Sequence, residues 1–168
     1  MESHEAYLDR LSDEILSPTV RAGFDHWRSL LAGRSFPQRR ELKPESIARQ
    51  LLRTTLIDVS YDPLDFRVRL VGQHVREHQG LTATQRVADC ILVAEGRDSL
   101  LRRFTACALQ RRPIRGLYRY VPRIVPNEPL WVEAVSCPLS DDGATVNHIV
   151  SFGSDADFTV PEGARELP

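Results

Sequence analysis

The sequence contains one group of side chains that matches a known catalytic pattern. Residues 74–78 read His-Val-Arg-Glu-His, so two histidines stand four positions apart with a glutamate beside the second. On a helix, this H-x-x-E-H spacing puts both imidazoles on one face, where they suit zinc, and Glu77 could activate a bound water. Such a site needs a third protein ligand, and Glu95 is the nearby downstream carboxylate. The motif raises the hypothesis of a metal-dependent hydrolase that uses His74, Glu77 and His78.

The surroundings of this motif argue against a hydrolase. The motif directly follows a predicted strand, and Gly80 leaves barely one turn of helix after His78. Short motifs of this kind also match often by chance. We therefore predict no catalytic residue, no metal ligand and no cofactor, and we interpret the chain as a protein that is not an enzyme.

Two cofactors, haem and flavin, are separate hypotheses, because a single histidine could bind a haem and a single cysteine could react with a flavin. A haem would need an axial histidine over a cavity, and only His74, His78 or His148 could provide it. A flavin photosensor would need a reactive cysteine such as Cys90, but its apolar neighbours favour a buried, inert thiol. Neither cofactor is favoured by the sequence.

Composition and charge limit the class of protein. The 168 residues are 42% hydrophobic and 27% charged with a net charge of −1, which is typical of one globular domain without a general attraction for nucleic acid or membranes. The three cysteines form no CxxC pair, the N-terminus resembles no signal peptide, and no apolar run approaches the ~20 residues of a membrane span. These features predict a cytoplasmic protein with reduced thiols.

The basic charge is unevenly distributed along the chain. One stretch has few acidic neighbours, which predicts a solvated helix face with exposed strand positions, although guanidinium groups would also suit an anion-binding patch. Its arginines are Arg97, Arg102, Arg103, Arg111, Arg112, Arg115, Arg119 and Arg123.

Hydrophobic periodicity predicts helices first and strands afterwards. Two amphipathic helices occupy the first 32 residues, and Pro44 begins a short helix. A longer helix covers residues 98–111 and ends before Pro113. Alternation and turn signals place five strands at residues 54–60, 66–71, 114–121, 130–139 and 146–152. In the second strand, strict alternation puts Phe66, Val68 and Leu70 on one face.

This order resembles the PAS topology, and several segments support the resemblance. They are WRSLLAGRSFPQRR at 27–40, LIDV at 56–59, FRVRLVG at 66–72, GLT at 80–82 and PLSDDG at 138–143. The chain is similar over residues 24–153 to a bacterial PAS-like family of mostly unassigned function, departing from it at Ala83-Thr84, where such proteins often have a glycine. The resemblance implies an α+β fold, with a five-stranded antiparallel sheet, helices on one face and N-terminal helices before it. It divides the chain into a helical extension at 1–43, a PAS-like domain at 44–154 and a flexible tail at 155–168.

The function implied is that of a sensory or adaptor domain. It would act through contacts with an unknown signalling protein and could be tuned by a small ligand; a small-molecule-binding protein without signalling output is the alternative. We expect any pocket to lie between the sheet and the helix at 98–111. The residues predicted to line it are Leu70, Phe104, Cys107, Tyr118, Trp131 and Ile149.

The N-terminal helices also predict an oligomer. Helices this short are marginal alone and must bury their apolar stripes, either on their own sheet or on a second subunit. Closed two-fold dimers are the commonest oligomers, so we predict a homodimer through these helices. The stripes consist of Tyr7, Leu8, Leu11 and Ile15, and of Val20, Phe24, Trp27 and Leu31.

Overall fold

The computed structural model describes residues 1–90, 94–124 and 127–167, with the side chains of residues 94 and 95 left aside. Over this part of the chain, helices precede, interrupt and flank a five-stranded sheet. The α-helices are α1 (His4–Glu14), α2 (Pro18–Ser29), α3 (Gln73–Gln79) and α4 (Ala94–Gln110). The strands are β1 (Thr54–Ser60), β2 (Asp65–Val71), β3 (Ile114–Tyr120), β4 (Leu130–Leu139) and β5 (His148–Ser154). Short 3-10 helices cover Arg39–Glu41, Pro44–Ile47, Leu51–Arg53 and Val87–Asp89.

The sheet has the order β2-β1-β5-β4-β3, and every neighbouring pair is antiparallel. The first and last strands therefore pair antiparallel in the centre, as the PAS topology requires. The predicted α+β fold with five antiparallel strands is confirmed, and each predicted strand lies within two residues of its observed limits. The helix predicted at 98–111 begins earlier, at Ala94.

One face of the sheet packs against α3 and α4. Helix α4 places Leu100, Phe104 and Cys107 on this face, at the spacing of a helical stripe. Ile57 and Ile149, which are register partners on β1 and β5, meet them from the sheet. This core contains the space where a ligand pocket was predicted.

The opposite face of the sheet is covered by α1 and α2 of the same chain. Gly23 allows the close approach of α2, because a Cβ at this position would lie 2.4 Å from the Phe152 ring. The indole Nε1 of Trp27 donates a hydrogen bond to the Pro138 carbonyl at 2.9 Å. Both apolar stripes predicted from sequence contribute to this core: Leu8, Leu11, Ile15, Val20, Phe24, Trp27 and Leu31 are buried in it, and Tyr7 packs against it. Helices thus cover both faces, not only one.

The homodimer prediction was based on these same stripes, and it stays a prediction. Each apolar face is buried within its own subunit. The intramolecular arrangement, which the sequence left as an alternative, is the one observed.

The turn between α1 and α2 is held by a buried carboxylate. Glu133 of β4 is fully buried and accepts hydrogen bonds from the backbone N–H groups of Leu16 and Ser17 at 2.7–3.1 Å. Arg115 of β3 donates its Nε–H to the same carboxylate at 2.7 Å. Ser17 also caps α2 through Val20, and Pro18 occupies the first turn, where proline is tolerated.

The segment after β5, which was predicted to be a flexible tail, contacts the domain at several points. Asp157 accepts hydrogen bonds from the Ser17 and Ser154 hydroxyl groups and from the Thr19 backbone N–H. Farther along, the Leu167 N–H donates to the Leu117 carbonyl at 2.7 Å and covers part of the β3 edge. The division into three regions stays a prediction, but residues 155–167 are attached to the sheet and to α2.

Candidate functional site

Two small adjoining cavities lie between the sheet and the helices α3 and α4. Each has a volume of about 20 Å³. Both are lined by Arg53, Val75, Gln79, Val132 and Gly153. Because a water needs roughly 10–15 Å³, each cavity has room for a molecule of about that size.

Arg103 is the most unusual group on the cavity wall. It is 1% exposed, and its Nε–H donates to the Ser136 hydroxyl at 2.9 Å. Its guanidinium carbon lies 5.3 Å from the Tyr118 ring centroid and 5.7 Å from that of Phe104, which gives cation–π stabilisation. Its Nη1 has no hydrogen-bond partner within the described ranges, nor does any described carboxylate lie within 4.0 Å of it. Among the described residues, Arg103 is therefore a buried cation without a counter-ion.

The sequence interpretation placed Arg103 among the solvated arginines and missed this environment. A usable signal was present, because Arg103 lies three residues after Leu100 and four before Cys107, within the buried stripe of α4. Arg102, its neighbour, is exposed. Helical periodicity places Arg103 on the buried face of α4 and Arg102 on the exposed face, whereas composition does not distinguish the two arginines.

One further polar atom at the cavities, the Nε of Arg53, is buried without a partner in the described part of the chain. The Tyr120 hydroxyl is also buried, and the Gln79 side chain lies beside it. Burial raises the pKa of Tyr120 well above its ordinary range, so this hydroxyl stays a hydrogen-bond donor at any physiological pH. The walls thus carry two arginines, Arg53 and Arg103, and one described carboxylate, Asp155, which is paired with Arg53.

His74, the first histidine of the H-x-x-E-H motif, lines the first cavity together with Asp155, and His78 lies beside His74. The two histidine rings stack with centroids 3.7 Å apart, and His74 Nε2 lies 2.6 Å from an Asp155 oxygen. The His78 Nδ1–H donates to the His74 carbonyl at 3.0 Å, which leaves its Nε2 free. One donor atom from each residue lies within 4.8 Å of the other two, so these three residues could hold a metal ion. The Arg53 guanidinium, 3.4 Å from the other Asp155 oxygen, adds a competing positive charge.

Glu77, the base in the hydrolase hypothesis, is not directed at this cluster. Glu77 is exposed and accepts a hydrogen bond from the Gln73 amide at 2.8 Å, away from the histidine pair. The side chain of Glu95, the expected third ligand, lies outside the described residues. The carboxylate at the pair is Asp155, which sequence reasoning missed because 77 residues separate it from His78.

The predicted pocket residues lie on both sides of the sheet. Phe104, Cys107 and Ile149 belong to the core beneath α4, and Tyr118 lines the second cavity. The Cys107 thiol contacts the Ser136 carbonyl at 3.4 Å, and burial raises its pKa.

Leu70 and Trp131 lie on the opposite face, so their predicted placement in this pocket is wrong. In β2 the register shifts between Leu56 and Ile57, whose partners are Leu70 and Val68, and Arg69 is the extra residue of a β-bulge. Beyond it, Leu70 faces away from Val68. Trp131 precedes Val132, which packs with Tyr118 under the helices, and its indole instead stacks against Arg119 at 5.1 Å.

The other candidate cofactor residues are engaged elsewhere. His148 places both ring nitrogens 2.8 Å from carboxylates, those of Asp58 and Asp141. Cys90 is 1% exposed, and its thiol lies 3.4 Å from the Arg86 carbonyl. Neither side chain reaches the cavities described above.

The architecture is that of an α+β domain with a sheet between two helical layers and a small polar cavity under one of them. A family model described as "PAS domain" matches residues 15–112, which is more than half of the chain. The chain therefore belongs to the PAS domain family, as the sequence resemblance implied. PAS domains are typically sensory.

Several solved structures are similar to this one, each with a TM-score of 0.45. A PAS domain from Colwellia psychrerythraea is 10% identical and covers 67% of this chain and 96% of its own. A sensory box sensor histidine kinase from Vibrio cholerae is 18% identical, with 68% and 90% covered. An RNA-binding light-oxygen-voltage receptor is 16% identical, with 70% of this chain and 34% of that chain covered.

Comparison with curated proteins gives no match. Within residues 1–90, 94–124 and 127–167, no helix combines the length and the apolar character needed to cross a membrane.

Proposed function

We propose that this PAS domain is a sensory domain that binds a small anion beside Arg103 and responds by changing its contacts with another protein. The observation that carries the proposal is the buried guanidinium of Arg103, which has no carboxylate partner in the described part of the chain. Removing an ion from water costs several kcal/mol, and π faces and one hydroxyl replace only part of that hydration. A bound anion would supply the missing counter-charge.

Cavity size and donor geometry limit the ligand. One cavity of about 20 Å³ suits a monatomic ion, and the two adjoining cavities together suit an anion of a few atoms, such as nitrate or formate. Planar oxygen anions are favoured because a guanidinium group presents parallel N–H donors that match two oxygens. The Arg53 Nε is a further donor nearby without a partner among the described residues. We propose Arg103, Phe104, Cys107, Tyr118 and Ile149 as the site's immediate environment.

The signal would leave the site through α4. Arg103 connects this helix to β4 through Ser136, whose hydroxyl in turn contacts Ser151 of β5 at 3.1 Å. An anion that draws the guanidinium toward itself would change the Arg103–Ser136 hydrogen bond and the packing of α4 against the sheet. The outer side of α4 carries Leu109, which is 62% exposed, and we propose it as the surface that meets the partner.

Thermal unfolding in different sodium salts at constant ionic strength tests the proposal. An anion that binds only the native state raises Tm with its concentration. We expect formate or nitrate to raise the Tm of the wild type and to leave that of Arg103→Met unchanged. Arg102→Met, which removes an exposed arginine from the same helix, should respond like the wild type.

The Arg103→Met variant also controls for loss of folding. Replacing an uncompensated buried ion with an apolar side chain of similar length is often neutral or stabilising, so Arg103→Met should fold without the anion. An equal rise of Tm in wild type and Arg103→Met, or none with any small anion, would overturn the proposal.

The proposed role is non-enzymatic and cytoplasmic, without nucleic acid or membrane as a partner. The three described cysteines are free and buried, which agrees with a reducing compartment. Anion binding without any partner would instead indicate the alternative function, a small-molecule-binding protein with no signalling output. Affinity capture from cell extract with and without the anion separates these two functions.

A further inference from the structure

A larger groove lies on the other face of the sheet, away from Arg103. Its volume is about 320 Å³, which is within the range of roughly 300–1,000 Å³ found for ligand pockets. The 3-10 helices Pro44–Ile47 and Leu51–Arg53 form one side of it, and β1, β2 and β5 form the other. Its floor is apolar and consists of Leu42, Ile47, Leu51, Leu56, Leu70 and Val150.

The β-bulge in β2 creates part of this floor. Without the extra residue Arg69, Leu70 would point beneath α4 with Val68. The bulge turns Leu70 into the groove, where its side chain is still 46% exposed. Bulges commonly re-aim a side chain near a functional site, and a half-exposed leucine is an apolar surface available to a ligand.

The rim of the groove is positively charged. Arg39, Arg40 and Lys43 line it, all three are exposed, and none forms an ion pair within 4.0 Å in the described part of the chain. Of the carboxylates in the same segment, Glu41 is already paired with Arg34 at 2.7 Å, and Glu45 is exposed. Cationic groups therefore stand beside an apolar cleft with little compensating negative charge.

We propose that this groove binds an amphipathic monocarboxylate, a fatty acid of medium chain length. The hydrocarbon chain would lie on the leucine and isoleucine floor, and the carboxylate would bind Arg39, Arg40 and Lys43. The groove favours a free small molecule because its volume is that of a ligand pocket and its cations lie at one rim. This site is separate from the anion site under α4 and does not depend on it.

Isothermal titration with dodecanoate below its micelle concentration tests the proposal, with dodecanol and acetate as partial mimics. We expect dodecanoate to bind, dodecanol to bind more weakly for lack of the charge, and acetate, titrated into Arg103→Met to remove the anion site, not to bind for lack of the chain. Arg39→Ala/Arg40→Ala and Leu70→Asp should each weaken dodecanoate binding by about tenfold or more, which corresponds to ~1.4 kcal/mol. Both variants change exposed side chains and should keep the wild-type Tm.

Matched changes elsewhere provide the controls. Arg102→Ala removes an exposed arginine, and Leu109→Asp replaces an exposed leucine, both on α4. Each should bind dodecanoate like the wild type, and so should Arg103→Met, which separates this site from the anion site. Equal weakening in the control variants, or equal binding of dodecanol, would overturn the proposal. Binding to anionic lipid vesicles without binding of monomeric dodecanoate would overturn it in favour of a membrane surface.

Discussion

At the scale of single residues, burial decides the chemistry more than residue type does. Arg102 and Arg103 are neighbours, yet one is exposed and the other is a cation enclosed by Tyr118, Phe104 and Ser136. Asp155 is likewise ordinary in sequence but completes a cluster with His74 and His78. The sequence predicted the histidine pair from its spacing. It did not predict the aspartate, because only the folded sheet brings β5 beside α3.

The described cysteines are predicted to be unreactive in the native protein. Cys90, Cys107 and Cys137 are each at most 1% exposed, and burial raises the pKa of Cys107 and Cys137, which disfavours the nucleophilic thiolate. We expect an aromatic disulfide reagent to modify all three thiols rapidly in urea and only slowly in native buffer, at the rate of local opening. A thiol that reacts rapidly in the native protein would contradict this and would revive a cysteine-based function.

The purified protein is predicted to carry no stoichiometric metal and no visible chromophore. Asp155 already accepts hydrogen bonds from His74 and from Arg53, whose positive charge opposes a divalent cation. Elemental analysis should find far less than one zinc per chain, and His78→Ala should not change the value. One equivalent of zinc that disappears in this variant would make the cluster a metal site, and a Soret band would indicate haem.

At the scale of elements, the positions of the strands were predictable from sequence, but the sheet face on which each side chain lies was not. Alternation of apolar and polar residues located β2 correctly, but the bulge at Arg69 reverses the side chains beyond it and moves Leu70 to the other face. The facing of Trp131 was equally unpredictable, because a shift of one residue in register decides which of the two helical layers its side chain faces. The sequence has no signal for either outcome, because cross-strand register is set by the packing of both faces.

Glu133 is predicted to hold the connection between α1 and α2 to the sheet. Glu133→Ala leaves Arg115 and the backbone N–H groups of Leu16 and Ser17 without their acceptor in a buried setting. Breaking a buried ion pair on one side typically costs about 3–5 kcal/mol, and we expect a loss of that order in urea unfolding. Glu162→Ala, at an exposed position, should stay within about 0.5 kcal/mol of the wild type. Equal stability of the two variants would contradict the role of Glu133.

Asp157 is predicted to link α2 and β5 in a pH-dependent way. Burial opposes its ionisation, but hydrogen bonds from Ser154, Ser17 and Thr19 outweigh burial and lower its pKa to about 2 from an ordinary value of 3.8. A lowered folded-state pKa gives stability that is present above the ordinary value and is lost as the pH falls toward 2.

Thermal unfolding of Asp157→Asn from pH 7 to pH 2 tests this link. The variant should be less stable than the wild type at pH 7, and the difference should shrink steadily below about pH 4. Asp13→Asn, which changes an exposed aspartate of α1, is the control and should follow the wild-type curve. A stability difference for Asp157→Asn that is the same at every pH would show that its carboxylate charge has no role.

At the scale of the whole molecule, the two helical layers give the sheet two different surfaces. The layer of α3 and α4 encloses the small polar cavities, whereas the layer of α1 and α2 leaves the groove beside β2 uncovered. The sequence predicted every strand and the N-terminal helices because these depend on local periodicity. It left open where the N-terminal helices pack, because the same apolar stripes fit a sheet in the same subunit or a second subunit equally well.

The N-terminal residues are therefore predicted to stabilise the fold by covering one face of the sheet. Deleting residues 1–17 removes the buried side chains Leu8, Leu11 and Ile15, and full burial of one such side chain contributes about 1.5–3 kcal/mol. It also removes Ser17 and leaves the Glu133 carboxylate without two of its donors. The combined loss is comparable with the total stability of a domain, about 5–15 kcal/mol.

Light scattering and circular dichroism together distinguish the two outcomes of this deletion. We expect the shortened chain to lose most of its cooperative thermal transition, because one face of the sheet is then exposed to water. Asp13→Arg, which changes only the exposed side of α1, should keep the mass and the Tm of the full-length protein. If the full-length protein is instead a dimer and the shortened chain a folded monomer with an unchanged Tm, then α1 binds a second subunit in solution, and its packing on the sheet does not support the fold.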